Sequence, residues 1–230
     1  MKILFLGTAA AEGWPALFCR CEDCRRARKL GGKNIRTRAS LQLGSQYKVD
    51  FPPDSYFQML KYGLFYADLE HLFITHTHQD HLYALDLRMR EFPFSFITLK
   101  KLHIYGSESV YQEIKETIKD LGKCKLALRV VEPFENFKAG ELEVTPILAN
   151  HDPKQICLNY IFQFEGKTLL QGFDTGWYPE ETWEKLADYR FDIVVMDCTS
   201  GGKSKGLGVP TNHLGIEALI EVKKKMEKME

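Results

Sequence analysis

Residues 73–81 read Phe-Ile-Thr-His-Thr-His-Gln-Asp-His, an apolar strand end followed by four side chains that can bind a metal. In an extended chain, side chains two positions apart share a face, so His76 and His78 can hold one ion together. A turn after them would place Asp80 and His81 at the start of a helix, facing a neighbouring position. Imidazole and carboxylate ligands of this kind suit zinc or manganese. The stretch therefore predicts a site for two divalent ions.

The spacing His-x-His-x-Asp-His after an apolar strand resembles the signature of the metallo-β-lactamase superfamily. That resemblance implies an α/β fold, an αββα sandwich of two mixed β-sheets flanked by helices, with two metal ions at one edge. It also implies that His151, just after the strand predicted at 142–147, is the third histidine of the first metal. Asp174 would bridge both ions, and Asp50 would orient the ligands from behind.

A second group of metal-capable residues precedes this motif. Cys19, Cys21 and Cys24 follow a glycine-containing stretch at residues 7–15, and thiolates at this spacing on a loop can share one tetrahedral zinc. The arrangement resembles the amino terminus of the PhnP-type phosphodiesterases, which implies a structural zinc beside the catalytic site. Three reduced cysteines without a metal are the alternative.

Two segments near the carboxyl end extend the same resemblance. Asp197, in Val-Met-Asp-Cys-Thr at 195–199, would support the active-site edge from behind. His213, which follows an asparagine at a helix start, would face the substrate and either hydrogen-bond a phosphate oxygen or protonate the leaving group. In PhnP-type proteins a last strand and a turn with two histidines follow that helix. We therefore expect that the sequence lacks its last strand; the alternative is that both metal sites are weakened.

Apolar runs rich in β-branched and aromatic residues alternate with helical periodicity along the chain. This pattern predicts a single α/β hydrolase domain over residues 1–230, with a flexible glycine-rich loop at 201–208. The predicted strands are 2–6, 40–43, 47–51, 71–74, 102–105, 126–131, 142–147, 158–164, 168–171 and 193–196. The predicted helices are 54–62, 82–90, 107–121, 180–189 and 214–228.

The composition excludes several classes of protein. The 230 residues carry 31 basic and 31 acidic side chains, so the formal charge is zero, which argues against a protein that mainly coats nucleic acid. Hydrophobic residues make up 44%, enough for a sizeable core. No apolar run is long enough to span a bilayer, and the apolar start is too short for a secretory signal. We therefore expect a cytoplasmic protein with no membrane partner.

The motifs together predict a metal-dependent hydrolase. We expect cleavage of small phosphodiesters, including cyclic nucleotide or ribose esters, by a hydroxide that bridges two Zn²⁺ or Mn²⁺ ions. Asp80 and His213 are the predicted catalytic residues. Alternatives of the same fold are a tRNA 3′-processing endonuclease, for which the sequence has no long basic insertion, and a lactonase or thioester hydrolase.

An inactive nucleic-acid-binding or metal-sensing module is the alternative of another class. It is suggested by residues 20–38, which contain eight Lys or Arg against two acidic residues. A small phosphodiester is therefore the expected partner, nucleic acid is a partner that the sequence allows but does not favour, and a homodimer is compatible with the sequence.

Overall fold

The computed structural model describes residues 1–97, 100–202 and 211–229, and the chain divides into two compact units. The first unit comprises residues 1–106 and 110–129, and the second comprises residues 107–109 and 130–230. Each contains one mixed β-sheet with flanking helices, which confirms the predicted α/β class with two mixed sheets. The assignment of the whole chain to one domain stays a prediction. Within the described ranges, no helix combines the length and the apolar character needed to cross a membrane.

The first unit is built on a six-stranded sheet. Its strands are β1 (Ile3–Gly7), β2 (Ser40–Leu43), β3 (Tyr47–Val49), β4 (His71–Phe73), β5 (Leu102–Gly106) and β6 (Leu126–Val130), in that spatial order. β1, β2 and β3 pair antiparallel, whereas β3, β4 and β5 run parallel. Val49 pairs with Phe73, so the residues that follow β3 and β4 emerge at the same edge of the sheet.

Three α-helices belong to this part of the chain: α1 (Glu22–Leu30), α2 (Ser55–Tyr62) and α3 (Glu108–Thr117). Short 3₁₀ helices span Gly32–Asn34, Tyr66–Asp68 and Ala84–Arg90. Val110 and Ile114 of α3 are buried in one apolar cluster with Leu72 and Ile104 of the sheet. This burial on one helix face is what fixes α3 against the strands.

The predicted helix at 82–90 is wrong in type and in start. The chain forms a 3₁₀ helix that begins at Ala84, so Asp80 and His81 lie in a turn rather than at a helix start. The reason is that backbone groups around Leu82 are already used by Phe51, which donates to the His81 carbonyl at 2.7 Å and accepts from the Tyr83 N–H at 2.8 Å. A chain segment bonded to a neighbouring strand in this way cannot begin an α-helix.

β3 carries a lysine whose side chain is completely buried, which the sequence analysis did not anticipate. The Lys48 ammonium donates to Ser40 Oγ and to Gln58 Oε1, and it lies 5.4 Å from the ring centre of Tyr66. Burial lowers the pKa of Lys48 to about 7, and the nearby Asp50 carboxylate opposes that shift only in part. The folded chain therefore holds a lysine that is largely neutral above this pH.

We expect Lys48→Met to stabilise the protein, and to do so more at pH 7 than at pH 10. An unfolded lysine titrates near 10.5, so between these pH values the unfolded chain binds a proton that the folded chain gives up. Stability of the parent chain therefore falls as the pH decreases from 10 to 7. The lost hydrogen bonds to Ser40 and Gln58 affect both pH values alike.

Urea unfolding measures the stabilisation by Lys48→Met, which should be about 3–4 kcal/mol larger at pH 7 than at pH 10. Lys61→Met, a substitution of an exposed lysine on α2, is the matched control and should show no such pH dependence. Equal effects of Lys48→Met at both pH values would contradict the expectation.

The second unit is built on a five-stranded sheet. Its strands are β7 (Phe137–Ala139), β8 (Leu142–Leu148), β9 (Leu158–Phe164), β10 (Lys167–Gly172) and β11 (Ile193–Met196), and the spatial order is β11-β10-β9-β8-β7. β7 to β10 pair antiparallel in sequence order, and β10 and β11 are parallel. β8, β10 and β11 therefore run in the same direction and end at the same edge.

Helices α4 (Glu180–Leu186) and α5 (Ile216–Glu227) pack on this sheet. Trp183 of α4 and Val222 of α5 are buried in one cluster with Ile147, Ile161 and Leu170 of the strands. The predicted glycine-rich loop at 201–208 lies outside the described residues from position 203 onward.

Candidate metal centre

The turn after β4 brings the histidines of the first motif together. The ring centres of His76 and His78 are 4.5 Å apart, and those of His76 and His81 are 4.3 Å apart. The Nε2 atom of His81 lies 3.3 Å from the Asp80 carboxylate. His76 and His81 are both about 1% exposed. The first unit thus assembles all four metal-capable side chains of this stretch.

Asp50 follows β3 at the same sheet edge and contacts the His81 ring. Its Oδ2 accepts a hydrogen bond from His81 Nδ1 at 2.7 Å, and its Oδ1 accepts from the Thr75 N–H at 2.9 Å. Asp50 is fully buried and its backbone is in the left-handed region, with φ of 59°. A carboxylate on Nδ1 fixes the tautomer of a histidine and leaves Nε2 for a metal.

Thr75 is a supporting residue that the sequence analysis missed. Its hydroxyl lies 3.0 Å from Asp50 Oδ1 and 2.9 Å from His76 Nδ1. Because the single hydroxyl proton goes to the carboxylate, the oxygen accepts from His76 Nδ1, so His76 also presents Nε2. The signal was present in the sequence, since a hydroxyl residue directly precedes the first histidine.

The second unit assembles its own group at the edge where β8, β10 and β11 end. His151 follows β8, Asp174 follows β10, and His213 precedes α5. One ligand atom from each of these three residues lies within 4.8 Å of the other two, and His151 Nε2 is 3.6 Å from Asp174 Oδ2. Three ligands at this mutual distance can hold one divalent ion.

Hydrogen bonds at Nδ1 set the tautomer of both histidines in this group. His151 Nδ1 lies 3.0 Å from the Asn212 carbonyl, and His213 Nδ1 lies 2.6 Å from Asp197 Oδ2. Both acceptors require a proton on Nδ1. Asp197 is 6% exposed and also accepts from the Thr199 N–H at 2.6 Å and the Thr175 N–H at 3.2 Å. Asp197 therefore lies behind His213 and orients it.

The loop that carries Asp174 is fixed from two sides. Asp174 has a left-handed backbone, with φ of 43°, and Thr175 Oγ1 accepts from the Asn150 N–H at 3.0 Å. On the sheet side, Asn159 Nδ2 donates to the Phe173 carbonyl at 2.6 Å and Asn159 Oδ1 accepts from Tyr178 at 2.8 Å. Burial raises the pKa of Tyr178, so its hydroxyl stays protonated and can donate.

Gly172 at the end of β10 leaves the space that Tyr178 needs for its hydrogen bond to Asn159. A Cβ at position 172 would lie 2.7 Å from Met196 Sδ and 2.8 Å from the Tyr178 hydroxyl. Both distances are shorter than real Cβ contacts. Glycine is therefore required here so that Tyr178 can lie across the strand end and reach Asn159.

The cysteines form a separate compact group in the first unit. The three Sγ atoms lie within 4.8 Å of one another, a geometry that fits a shared zinc. The prediction of a loop is wrong in part: Cys21 is the N-cap of α1 and Cys24 lies in the first turn of that helix. A hydrogen bond from the Cys24 N–H, together with the Cys19 thiol, lowers the pKa of Cys21. A backbone hydrogen bond at Ala16 lowers the pKa of Cys24. Burial and the two other thiols raise it by more, so the pKa of Cys24 lies above its ordinary value.

Residues 60–229 match the sequence family described as the beta-lactamase superfamily domain. The chain belongs to this superfamily. The match covers well over half of the sequence and includes the histidine motif and the turns after β8 and β10. It confirms the predicted membership of the metallo-β-lactamase superfamily, and it identifies the chain as a hydrolase of that fold. No curated protein sequence matches the chain.

Several solved structures share the fold. A diphosphatase from the PhnP family matches with a TM-score of 0.76 at 20% identity, over 98% of this chain and 82% of that chain. Human tRNase Z, short form (ELAC1), matches with a TM-score of 0.68 at 17% identity, over 99% and 89%. Zn²⁺-bound PqqB from Methylobacterium extorquens matches with a TM-score of 0.67 at 18% identity, over 86% and 73%. At such identities the likeness shows the fold alone.

The predicted ligands thus fall into two groups, one in each unit, and both offer the imidazole and carboxylate donors that divalent metals prefer. That His76, His78, Asp80 and His81 act together with the second group in one centre stays a prediction, as do the individual roles of these residues.

Proposed function

We propose that this chain is a metal-dependent phosphodiesterase that hydrolyses small phosphodiesters, including cyclic nucleotide or ribose esters. The observation that carries the proposal is the second unit's group, in which His151, Asp174 and His213 present ligand atoms within 4.8 Å of one another. The Asp197 carboxylate holds the His213 ring in one orientation through Nδ1. A carboxylate in this position suits a metal-binding imidazole as well as one that takes part in acid–base chemistry.

The donor set fits two divalent ions, Zn²⁺ or Mn²⁺. We assign His76, His78 and His151 to the first ion, Asp80 and His81 to the second, and Asp174 to both. When bound, ions of this kind supply a water with lowered pKa and stabilise charge on phosphoryl oxygens. Cys19, Cys21 and Cys24 would hold a third, structural zinc.

The chain's own residues then prepare the site for a phosphodiester. Asp50 and Thr75 keep the Nδ1 atoms of His76 and His81 occupied, so both rings turn Nε2 toward the ligand side. Asp197 does the same for His213, whose Nε2 can donate a proton to a phosphate oxygen or to the departing alkoxide. Orienting hydrogen bonds of this kind remove the need to reorganise the site during the reaction.

The chain shares the fold of the PhnP-family diphosphatase, and its lack of a long basic insertion favours small diesters over precursor tRNA. The chain also shares the fold of human tRNase Z, so cleavage of precursor tRNA should be assayed as well. Exposed basic side chains on α1 are a second reason for that assay: Arg25, Arg26, Arg28 and Lys29. Both likenesses support the proposal only through the shared fold.

The purified full chain should hydrolyse bis(p-nitrophenyl) phosphate and a cyclic nucleotide. This activity should disappear after treatment with EDTA and return with added Zn²⁺ or Mn²⁺, while metal analysis counts ions per chain. Cleavage of precursor tRNA without small diesters, or hydrolysis of lactones or thioesters alone, would replace the proposed substrate class. Salt-sensitive nucleic-acid binding without any hydrolysis would indicate the inactive binding module instead.

A further inference from the structure

The first unit exposes a group of large apolar side chains around one open cavity. Tyr56, Met89 and Ile97 line the cavity, whose volume is about 280 Å³. The segment that connects Met89 to Ile97 adds three more exposed rings, and two of them, Phe92 and Phe96, contact each other edge-to-face at 5.8 Å. We call this set the phenylalanine surface; its members are Tyr56, Met89, Phe92, Phe94, Phe96 and Ile97.

The exposed apolar area is larger than a monomer normally shows. The exposed fractions of the six residues run from 47% at Met89 to 83% at Phe96. With roughly 150–200 Å² for each fully exposed large side chain, they present on the order of 700 Å² of largely apolar area. The largest patch on a typical monomer is about 300–600 Å². A stable dimer buries about 800 Å² on each partner, which this surface approaches before the cavity walls are counted.

The surface contains both a projection and a recess of matching size. A cavity of about 150 Å³ is enough to take up benzene, so the present one has room for a phenyl ring. Phe96 is 83% exposed and belongs to the segment at the cavity's rim. A twofold contact pairs each residue of a surface with a different residue of the same surface on the partner. One copy's phenylalanine can therefore enter the other copy's cavity while the reverse contact forms.

The charges around the cavity favour protein over a lipid surface as the occupant. Its charged lining residues are one acid and one base, Asp86 and Arg90. Burial raises the pKa of Asp86 and lowers the pKa of Arg90. Membrane-binding surfaces add basic residues to their apolar groups, because these attract anionic headgroups. A recess with one charge of each sign offers no such attraction.

We propose that the phenylalanine surface is the interface of a homodimer, in which Phe96 of one copy occupies the cavity of its partner. Met59 also lines this cavity. This dimer is independent of the proposed phosphodiesterase activity, because none of the six residues belongs to either group of metal ligands.

Sedimentation equilibrium of the full chain tests the interface. The parent chain should be a dimer at micromolar concentration. Phe96→Ser removes the projection and Met59→Trp fills the recess, so each should raise the dimer dissociation constant at least about tenfold. Because Phe96 is exposed, its serine variant should keep the parent's circular dichroism and melting temperature when measured as a monomer. Leu30→Ser, at an exposed leucine outside the surface, is the matched control and should leave the dimer intact.

A parent chain that stays monomeric at all concentrations would overturn the proposal, as would a dimer that neither substitution weakens. Flotation with phosphatidylcholine–phosphatidylglycerol vesicles measures whether the surface binds a membrane. Vesicle binding by the parent chain that Phe96→Ser abolishes would assign the surface to a membrane instead of a second copy.

Discussion

Asp174→Ala should lower the turnover of bis(p-nitrophenyl) phosphate by at least about 10³-fold. Replacing a residue that only supports a metal ligand typically costs about 10–100-fold, and replacing the carboxylate that we propose to be shared by two ions should cost more. The position offers no substitute donor, because the left-handed turn that places this carboxylate near His151 and His213 is braced from both sides. Asp80→Ala should have an effect of similar size. Steady-state kinetics with saturating Zn²⁺ or Mn²⁺ measures the loss, and metal analysis shows whether bound ions fall with it.

Carboxylates elsewhere in each unit provide the controls. Asp188→Ala in the second unit and Asp68→Ala in the first remove exposed acidic side chains and should leave turnover and metal content unchanged. Turnover at the parent level in Asp174→Ala or Asp80→Ala, with the fold intact, would end the assignment of these residues to the reaction.

The sequence predicted most strands but missed elements with little apolar content. All ten predicted strands form within two residues of their predicted ends. β7 has only three residues, Phe137–Ala139, and is too short to show an alternating pattern. α1 was not predicted because only Cys24 and Ala27 are buried in this helix. Its sequence, Glu-Asp-Cys-Arg-Arg-Ala-Arg-Lys-Leu, therefore has almost no apolar periodicity. Short elements that depend on tertiary pairing or on capping leave a weak trace in sequence.

The metal-capable residues were predictable, whereas the groups that orient them were only partly so. Candidate ligands can be recognised in the sequence by their residue type and by their place at strand ends. Asp50 and Asp197 were found because they follow strands, and each proves to bind a histidine Nδ1. Thr75 and Thr175 were missed because hydroxyl residues are common everywhere, and only the folded chain shows that their oxygens contact a ligand or its loop.

Lys48 shows a second limit of sequence reasoning. A lysine in a short strand normally lies on the solvent face, and the alternation of β3 does not reveal that this one is buried. The hydrogen-bond acceptors come from β2 and α2, at Ser40 and Gln58, which are eight and ten residues away. Such an arrangement depends on three elements packing together, so no local pattern predicts it.

His213→Gln is the other substitution with a large expected effect, and it separates two roles that the sequence left open. Glutamine can still donate a hydrogen bond to a phosphate oxygen, but it cannot release a proton to a leaving group. Asp197 accepts from His213 Nδ1 at 2.6 Å, and a carboxylate at this position stabilises the protonated ring, as in the Ser-His-Asp hydrolases. The geometry thus equips Nε2 to act as a general acid.

The leaving group decides between the roles. Hydrolysis of a cyclic nucleotide expels a strongly basic ribose alkoxide, which needs a proton, so His213→Gln should lower that rate by about 10²–10⁴-fold if the ring is a general acid. p-Nitrophenolate is a weak base and leaves without a proton, so bis(p-nitrophenyl) phosphate should then be hydrolysed at nearly the parent rate. Equal losses on both substrates would show that His213 binds phosphate instead. Asp197→Asn should give the same substrate-dependent pattern as His213→Gln, because the Asp197 carboxylate accepts the Nδ1 hydrogen bond of the His213 ring.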